Sequence, residues 1–234
     1  MSKKAVILSG GLGIRLRPFT EVIPKPLLPV GEKAVLEIQI ERLKKYGFDD
    51  IYLATNYKSE YIENFFGDGN RYGVRLTISK EEKPLGTAGP IKLLEEKLKE
   101  GPFVVMNGDI LSLVNFQEMY DFAAGNDAML TVAVKKIITP YAFGNIISEG
   151  DRVVKIEEKP DIITYALAGI YIMKPGIMAL IPPGEYFGMD KLIMNMLSGG
   201  EKIYKYEIHD YWLDIGSIDD YSKVQDAYKN LKDK

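Results

Sequence analysis

The sequence predicts an α/β domain built on a mostly parallel, mixed sheet with helices on both faces and a small antiparallel excursion in its second half. Three observations carry that expectation. Apolar runs of strand length alternate with amphipathic stretches of helix length from the first residues onward, the pattern of βα units. Near residue 144 the alternation yields to two short runs flanking Glu149-Gly150-Asp151, which reads as a hairpin. The 234 residues, 46% apolar and without linker, repeat or low-complexity tract, form a single domain over 1–234.

The first strand is expected over 4–9, on the apolar run Ala5 to Leu8. A loop of about twenty residues follows, rich in glycine and proline, and loops of that length in a compact domain usually carry function. Leu36, Ile40 and Leu43 recur at helical spacing, giving a helix over 34–46 that Gly47 stops. Strand, helix and strand are then expected at 51–55, 59–66 and 74–80, a helix at 91–98 and a fully apolar, hence buried parallel, strand at 103–107. Asn115 and Glu118 have capping-box spacing and open a helix to Ala124. Strands follow at 128–134, 144–148, 153–157 and 165–173, a helix at 190–197, a strand at 202–208 and a terminal helix at 217–231.

Composition removes several chemistries. With no cysteine and one histidine, His209, there is no disulfide, thiolate site or His-rich metal cluster, and no Gly-x-Ser-x-Gly elbow accompanies a serine nucleophile. His209, Trp212 and the methionines at 173, 178, 189, 194 and 196 read as packing residues. The N-terminal apolar run, Ala5 to Leu8, is too short for a signal peptide and no run reaches the length of a membrane span, so the expected location is cytoplasmic, with no membrane partner. A net charge of −3 argues against nucleic acid. Residues 1–33 nevertheless hold six lysines and arginines against two glutamates, which suits a small anion.

The loops at strand ends supply candidates for that anion. In Gly10-Gly11-Leu12-Gly13-Ile14-Arg15 the glycines let backbone N–H groups approach a phosphate, and Arg15 can add bidentate contacts. No Gly-Lys-Ser/Thr ends the loop as in a Walker A motif, and Leu16 stands where the dinucleotide fingerprint needs its third glycine. Taken alone the loop is equally a turn, but Pro24 and Pro26 brace Lys25 as a fixed point charge. Asp109, directly behind an apolar strand, and Asp214, within Trp212-Leu213-Asp214-Ile215-Gly216, read either as turn aspartates or as a pair that could hold Mg²⁺ together with phosphate oxygens.

In chain order, GGLGIRLRPFT, IPKPLLPV, LGTAGPI, NGDI, EEKP, AGIYI and WLDIGS resemble the motifs of the sugar-phosphate nucleotidyltransferases, or nucleotide-sugar pyrophosphorylases, from Ala5 to the final helix. The resemblance implies a Rossmann-like domain that joins a sugar-1-phosphate to a nucleoside triphosphate with release of pyrophosphate, aided by Mg²⁺. It implies a nucleotide-binding half over about 1–125 and a sugar-phosphate-binding half over about 126–234. Arg15, Lys25 and Asp109 match its catalytic positions, and Asp109 and Asp214 its metal ligands. Leu8, Gly10, Gly11, Gly13, Arg15, Gly86, Thr87, Gly89 and Gly108 match residues against the nucleotide. Glu158 matches the position that holds sugar hydroxyls, Lys159 the one that holds the sugar phosphate, and Gly144 and Gly169 backbone positions beside the sugar.

The stretch LGTAGP looks most like the branch of mannose-1-phosphate and heptose-1-phosphate guanylyltransferases, so GTP is the expected donor over UTP, dTTP and CTP. One departure concerns the sugar: Leu167-Ala168-Gly169 stands where many relatives have Asn-Ala-Gly, which removes an amide able to bind a hydroxyl. The family also implies a homo-oligomer, dimer or tetramer. A nucleotide-sugar sensor without turnover, and a transferase acting on a phosphorylated non-sugar alcohol, are the competing readings.

Overall fold

In the computed structural model, which describes residues 2–231, the first apolar run is strand β1 (Lys3–Leu8). The long segment behind it, expected as a loop, is a succession of short turns. It contains a 3-10 turn at Ile14–Leu16, the one-turn helix α1 (Phe19–Val22), a second 3-10 turn at Lys25–Leu27 and a ladder of β2 (Pro29–Val30) with β3 (Lys33–Ala34). Each piece closes on itself, as in the 2.8 Å bond from the Leu27 N–H to the Pro24 carbonyl, and is too short for a hydrophobic period to reveal.

Helix α2 (Val35–Lys45), strand β4 (Phe48–Thr55), helix α3 (Ser59–Phe66) and strand β5 (Arg75–Lys80) lie where periodicity places them, β4 starting three residues early. The helix expected over 91–98 is instead a short α4 (Gly89–Lys92) and a 3-10 turn at Glu95–Lys97. Both arrangements bury Ile91, Leu94 and Leu98, so the pattern does not distinguish them. Strand β6 (Phe103–Asn107), an unforeseen three-residue β7 (Ile110–Ser112) and α5 (Phe116–Ala124) follow. Asn115 caps α5 as expected, its side-chain oxygen accepting the Gln117 and Glu118 N–H groups at 3.1 and 3.2 Å.

In the second half β8 (Leu130–Pro140) and β11 (Asp161–Met173) are both longer than expected. Beyond the main sheet they pair with each other, Lys136 opposite Tyr165 and Thr139 opposite Ile162, and their side chains are exposed on both faces. No apolar-polar alternation marks such a ribbon. The hairpin is β9 (Asn145–Glu149) with β10 (Arg152–Glu157), one residue displaced from its expected position at the first strand. Helix α6 (Met189–Ser198), β12 (Ile203–Glu207), a further unforeseen strand β13 (Trp212–Asp214) and α7 (Ile218–Leu231) complete the described residues.

The main sheet has the order β12-β8-β11-β6-β1-β4-β5. All neighbours are parallel except β11, which runs antiparallel to β8 and β6, so the mixed, mostly parallel expectation holds. One face packs on α2, α3 and α5 through Leu36, Ile40, Ile62, Phe66 and Phe116, and the other on α4 and α6 through Ile91, Leu192 and Met196. A third cluster, with Leu16, Leu28, Val30, Ile215 and Val224, seats α7 against the turns behind β1. Tyr221 Oη donates to the Pro29 carbonyl at 2.6 Å, and Gln225 Oε1 accepts the Gly31 N–H at 3.1 Å. No helix among the described residues is long and apolar enough to cross a membrane.

Candidate active site

Four parallel strands, β1, β4, β5 and β6, send their carboxyl ends into one cleft of about 360 Å³, where ligands of such sheets bind. Its walls include Leu8 at the end of β1 with Gly10 and Gly11 behind it, Asn56 after β4, Glu81 after β5, and Asn107 at the end of β6 with Asp109 behind it. Gly86, Thr87 and Tyr186 close the far side. Gly86 adopts φ +81°, and a Cβ there would lie 2.7 Å from the Phe187 carbonyl oxygen, so no other residue fits. Thr87 Oγ1 accepts the Met189 N–H at 2.8 Å, tying this loop to α6.

Asp109 is held by its neighbours rather than by its own side chain alone. The Gly108 N–H donates to the Leu8 carbonyl at 2.8 Å, and a Cβ on Gly108 would meet that same oxygen at 2.8 Å and Ser9 Oγ at 2.9 Å. Asp109 then forms an ion pair, its Oδ2 accepting from the Lys25 ammonium, with both side chains largely buried. The short strands β7 and β13 explain Asp214: β13 pairs with β7 in the register Asp214 opposite Ile110, and the Ile215 N–H donates to the Asp109 carbonyl at 2.9 Å. One small ladder therefore brings together the two carboxylates expected from separate motifs, Asp214 within β13 and Asp109 immediately before β7.

The electrostatics follow from that proximity. Burial pushes the Asp214 carboxyl above its ordinary pKa and the Asp109 carboxylate adds to the shift, while Lys25 and Arg15 oppose it. Arg15 lies beside the segment that carries Asp214, its Nη2 lying 3.3 Å from where a Cβ on Gly216 would stand. Asp109 Oδ1 is buried and has no hydrogen-bond partner among the described residues. An uncompensated buried carboxylate oxygen beside a second, solvent-accessible carboxylate is the donor set a divalent cation takes when substrate oxygens complete its shell. No group of three or more acidic or histidine side chains among the described residues could hold an ion without such help.

The remaining expected positions fall into two groups. Gly13, Gly89 and Gly108 stand behind the cleft wall: Gly13 takes φ +61° ahead of the Arg15 turn with its carbonyl accepting from Thr20 Oγ1 at 2.8 Å, and Gly89 packs on Glu185 and Leu85. Gly169, at φ +65°, lies against Asn107 and Ile110, a Cβ there reaching 2.7 Å from Asn107 Nδ2. Gly144 and Glu158 are neighbours, Glu158 Oε2 lying 3.3 Å from a Cβ built on Gly144. Glu158 and Lys159 do not line the cleft. Lys159 holds φ +46° immediately before Pro160, a strained conformation for a side chain that the fold retains.

Two expectations are corrected. His209 and Met194 do not pack: the His209 side chain is 84% exposed and Met194 is 57% exposed, because both project from the outer surface. Met173, Met178, Met189 and Met196 are buried as expected, and Trp212 Nε1 donates to the Ala168 carbonyl at 2.8 Å. His209→Ala is accordingly expected to leave steady-state turnover unchanged, and a kinetic loss without a fall in Tm would contradict that placement.

Sequence reasoning missed Asn56, Tyr186 and above all Glu81. Glu81 is buried at 7% exposure, its Oε2 accepts the Leu85 N–H at 2.9 Å, and its Oε1 lies 3.0 Å from where a Cβ on Gly10 would stand. Burial raises its pKa, with the Leu85 hydrogen bond opposing.

Residues 4–230 match the family described as nucleotidyl transferase. The chain belongs to the nucleotidyl transferase family. Among curated nucleotidyl transferases, the mannose-1-phosphate guanyltransferase of Yarrowia lipolytica is 37% identical over 225 residues, covering 93% of this chain and 62% of that protein. The mannose-1-phosphate guanyltransferase of Saccharomyces cerevisiae is 34% identical over 235 residues, 97% of this chain and 65% of the relative. The chain thus spans less than two thirds of the length of these relatives. Among solved structures, HddC from Yersinia pseudotuberculosis superposes with a TM-score of 0.76 at 26% identity, covering 97% of this chain and 99% of that one. Its complex with GMP-PN superposes at 0.74.

Proposed function

We propose that this chain transfers the nucleotidyl group of GTP to a sugar-1-phosphate of the mannose type, releasing pyrophosphate and forming a nucleotide sugar. The observation that carries the reading is the grouping of Lys25, Arg15 and Asp214 around Asp109, which itself lines a cleft walled by glycine backbone. A sugar phosphate oxygen must attack the α-phosphorus while the bond to the β-phosphate breaks and pyrophosphate leaves with the electron pair. Both reactants are anions, so fixed positive charge is needed to bring them in line.

Lys25 and Arg15 supply that charge, and Gly10 and Gly11 let the backbone approach the phosphates. Asp109 and Asp214 would hold Mg²⁺, which when bound neutralises charge on the phosphates. No covalent nucleophile is required. Glu81 supports the choice of base: a buried carboxylate accepts only, and of the common bases guanine offers it two donors, N1–H and N2–H, on one edge. The guanyltransferase names of the curated relatives support both donor and acceptor. Leu167, half exposed on β11 beside Ala168 and Gly169, leaves an apolar contact where the sugar is proposed to bind.

The test is pyrophosphate release with GTP, ATP, UTP, CTP and dTTP, each against mannose-, glucose- and heptose-1-phosphate with Mg²⁺. The expected result is turnover with GTP and mannose-1-phosphate. Turnover with another nucleotide alone overturns the reading of Glu81, and nucleotide-sugar binding without turnover makes the protein a sensor.

A further inference from the structure

The reaction proposed above requires the Asp109 carboxylate and the Lys25 ammonium to stay at one separation while substrates of high charge come and go. Helix α2 touches the segments that carry both. Its first residue, Val35, donates its N–H to the Leu28 carbonyl at 3.1 Å, directly behind the Lys25–Leu27 turn, and Arg42 Nη2 donates to the Val114 carbonyl at 3.1 Å, beyond β7. Between them lies Gln39, which is 3% exposed.

The Gln39 amide is used in an unusual way. Its Nε2 donates to the Asn107 carbonyl at 3.0 Å and to the Ile110 carbonyl at 2.7 Å, so its two hydrogens bracket the Gly108-Asp109 turn. Besides the Asp109–Lys25 ion pair, the turn's other anchors are backbone bonds, from Gly108 to Leu8 and from Ile215 to Asp109. Gln39 is the side chain that joins β6, β7 and α2 at that point. It does so at a cost, because its Oε1 is buried with no partner among the described residues. A buried acceptor left unpaired disfavours the fold. The donors, not the stability of α2, account for a glutamine here.

We propose that Gln39 is a positioning residue for nucleotidyl transfer: by clamping the carbonyls on either side of Gly108-Asp109 it fixes the Asp109 carboxylate relative to Lys25 and to Asp214. It touches neither substrate nor cation. The proposal rests on the reading of Asp109 as part of the reacting site.

The experiment uses the full chain with Gln39→Met, which keeps length and removes both donors, and Gln39→Glu, which keeps shape and turns donors into acceptors. Turnover with GTP and mannose-1-phosphate gives kcat and KM, and the emission of Trp212, the chain's single tryptophan and two residues before Asp214, is followed as MgCl₂ is titrated against the GTP-loaded protein. With the Asp109 turn released, kcat is expected to fall about tenfold or more, the scale of misplacing a reacting group. KM for GTP stays within about twofold, since Glu81 and the glycine walls are untouched. The Mg²⁺ midpoint of the Trp212 signal moves to higher concentration. A folded variant with wild-type kcat and an unmoved midpoint overturns the proposal, as does a kcat loss matched by an equal rise in KM. Should Gln39→Met not fold, Gln39→Glu decides by the same criteria. A wild-type protein without turnover removes the underlying reading of Asp109, whereas an active wild type with indifferent variants removes only the role of Gln39.

Discussion

Lys25→Ala is expected to lower kcat for pyrophosphate release by about 10² or more, and Asp109→Ala to lower it by a similar factor, the loss typical of removing one preorganised electrostatic contact. The argument begins with backbone. Pro24 and Pro26 restrict the residue between them, and the turn they form is closed by the Leu27 and Leu28 N–H groups on the Pro24 and Lys25 carbonyls at 2.8 and 3.1 Å. The ammonium therefore needs little reorganisation when a triphosphate joins Asp109 as its partner. Without it, Asp109 and Asp214 face one another as like charges in a partly buried site, and the upward pressure on the Asp214 carboxyl loses one of its two opposing cations. Loss of Asp109 acts conversely, leaving Lys25 without its ion-pair partner and removing the buried Oδ1 that fits a cation. Steady-state kinetics with saturating GTP and sugar phosphate, alongside Tm measurements, provide the check. A folded variant retaining near-wild-type kcat would take that residue out of the machinery.

What the sequence made legible has a common physical origin. Strand β1 and the glycines after it, and strand β6 and the Asn107-Gly108-Asp109 turn, are visible because an apolar run ending in small residues has few other readings. The four parallel strands ending at the cleft then carry Gly10, Gly11 and Asp109 to one place. Asp214 was legible as a candidate, but not its means of arrival, since three-residue strands such as β7 and β13 have no period to detect. Glu81 was hidden by its neighbours: Lys80-Glu81-Glu82-Lys83 reads as a solvated charge run, and only the end of β5 turns that one carboxylate inward. Gln39 did leave a signal. It falls on the buried face of α2 between Leu36 and Leu43, and a polar side chain at a core position of a helix calls for partners.

Glu81→Gln is expected to reduce kcat/KM for GTP by about two orders of magnitude, at the upper end for losing a hydrogen bond to a charged group and leaving a mismatched donor. The carboxylate presents acceptors only, matching the two donors on the guanine edge. A glutamine keeps one acceptor and sets an N–H₂ where the second acceptor stood, so donor meets donor. The same pairing of one donor with one acceptor suits uracil or thymine, whose edge offers N3–H beside a carbonyl. UTP and dTTP should therefore gain relative to GTP in the variant, and ITP, which lacks the guanine amino group, should be a poorer substrate than GTP for the wild type. Titration adds a second arm. Burial raises the Glu81 pKa, and donation from guanine favours the ionised form, so GTP affinity is lost as pH falls through the raised value and holds above it. In Glu81→Gln that pH dependence should disappear. Competition among GTP, ITP, UTP and dTTP across this pH range measures both effects, and an unchanged nucleotide ranking in a folded variant would place the base elsewhere in the cleft.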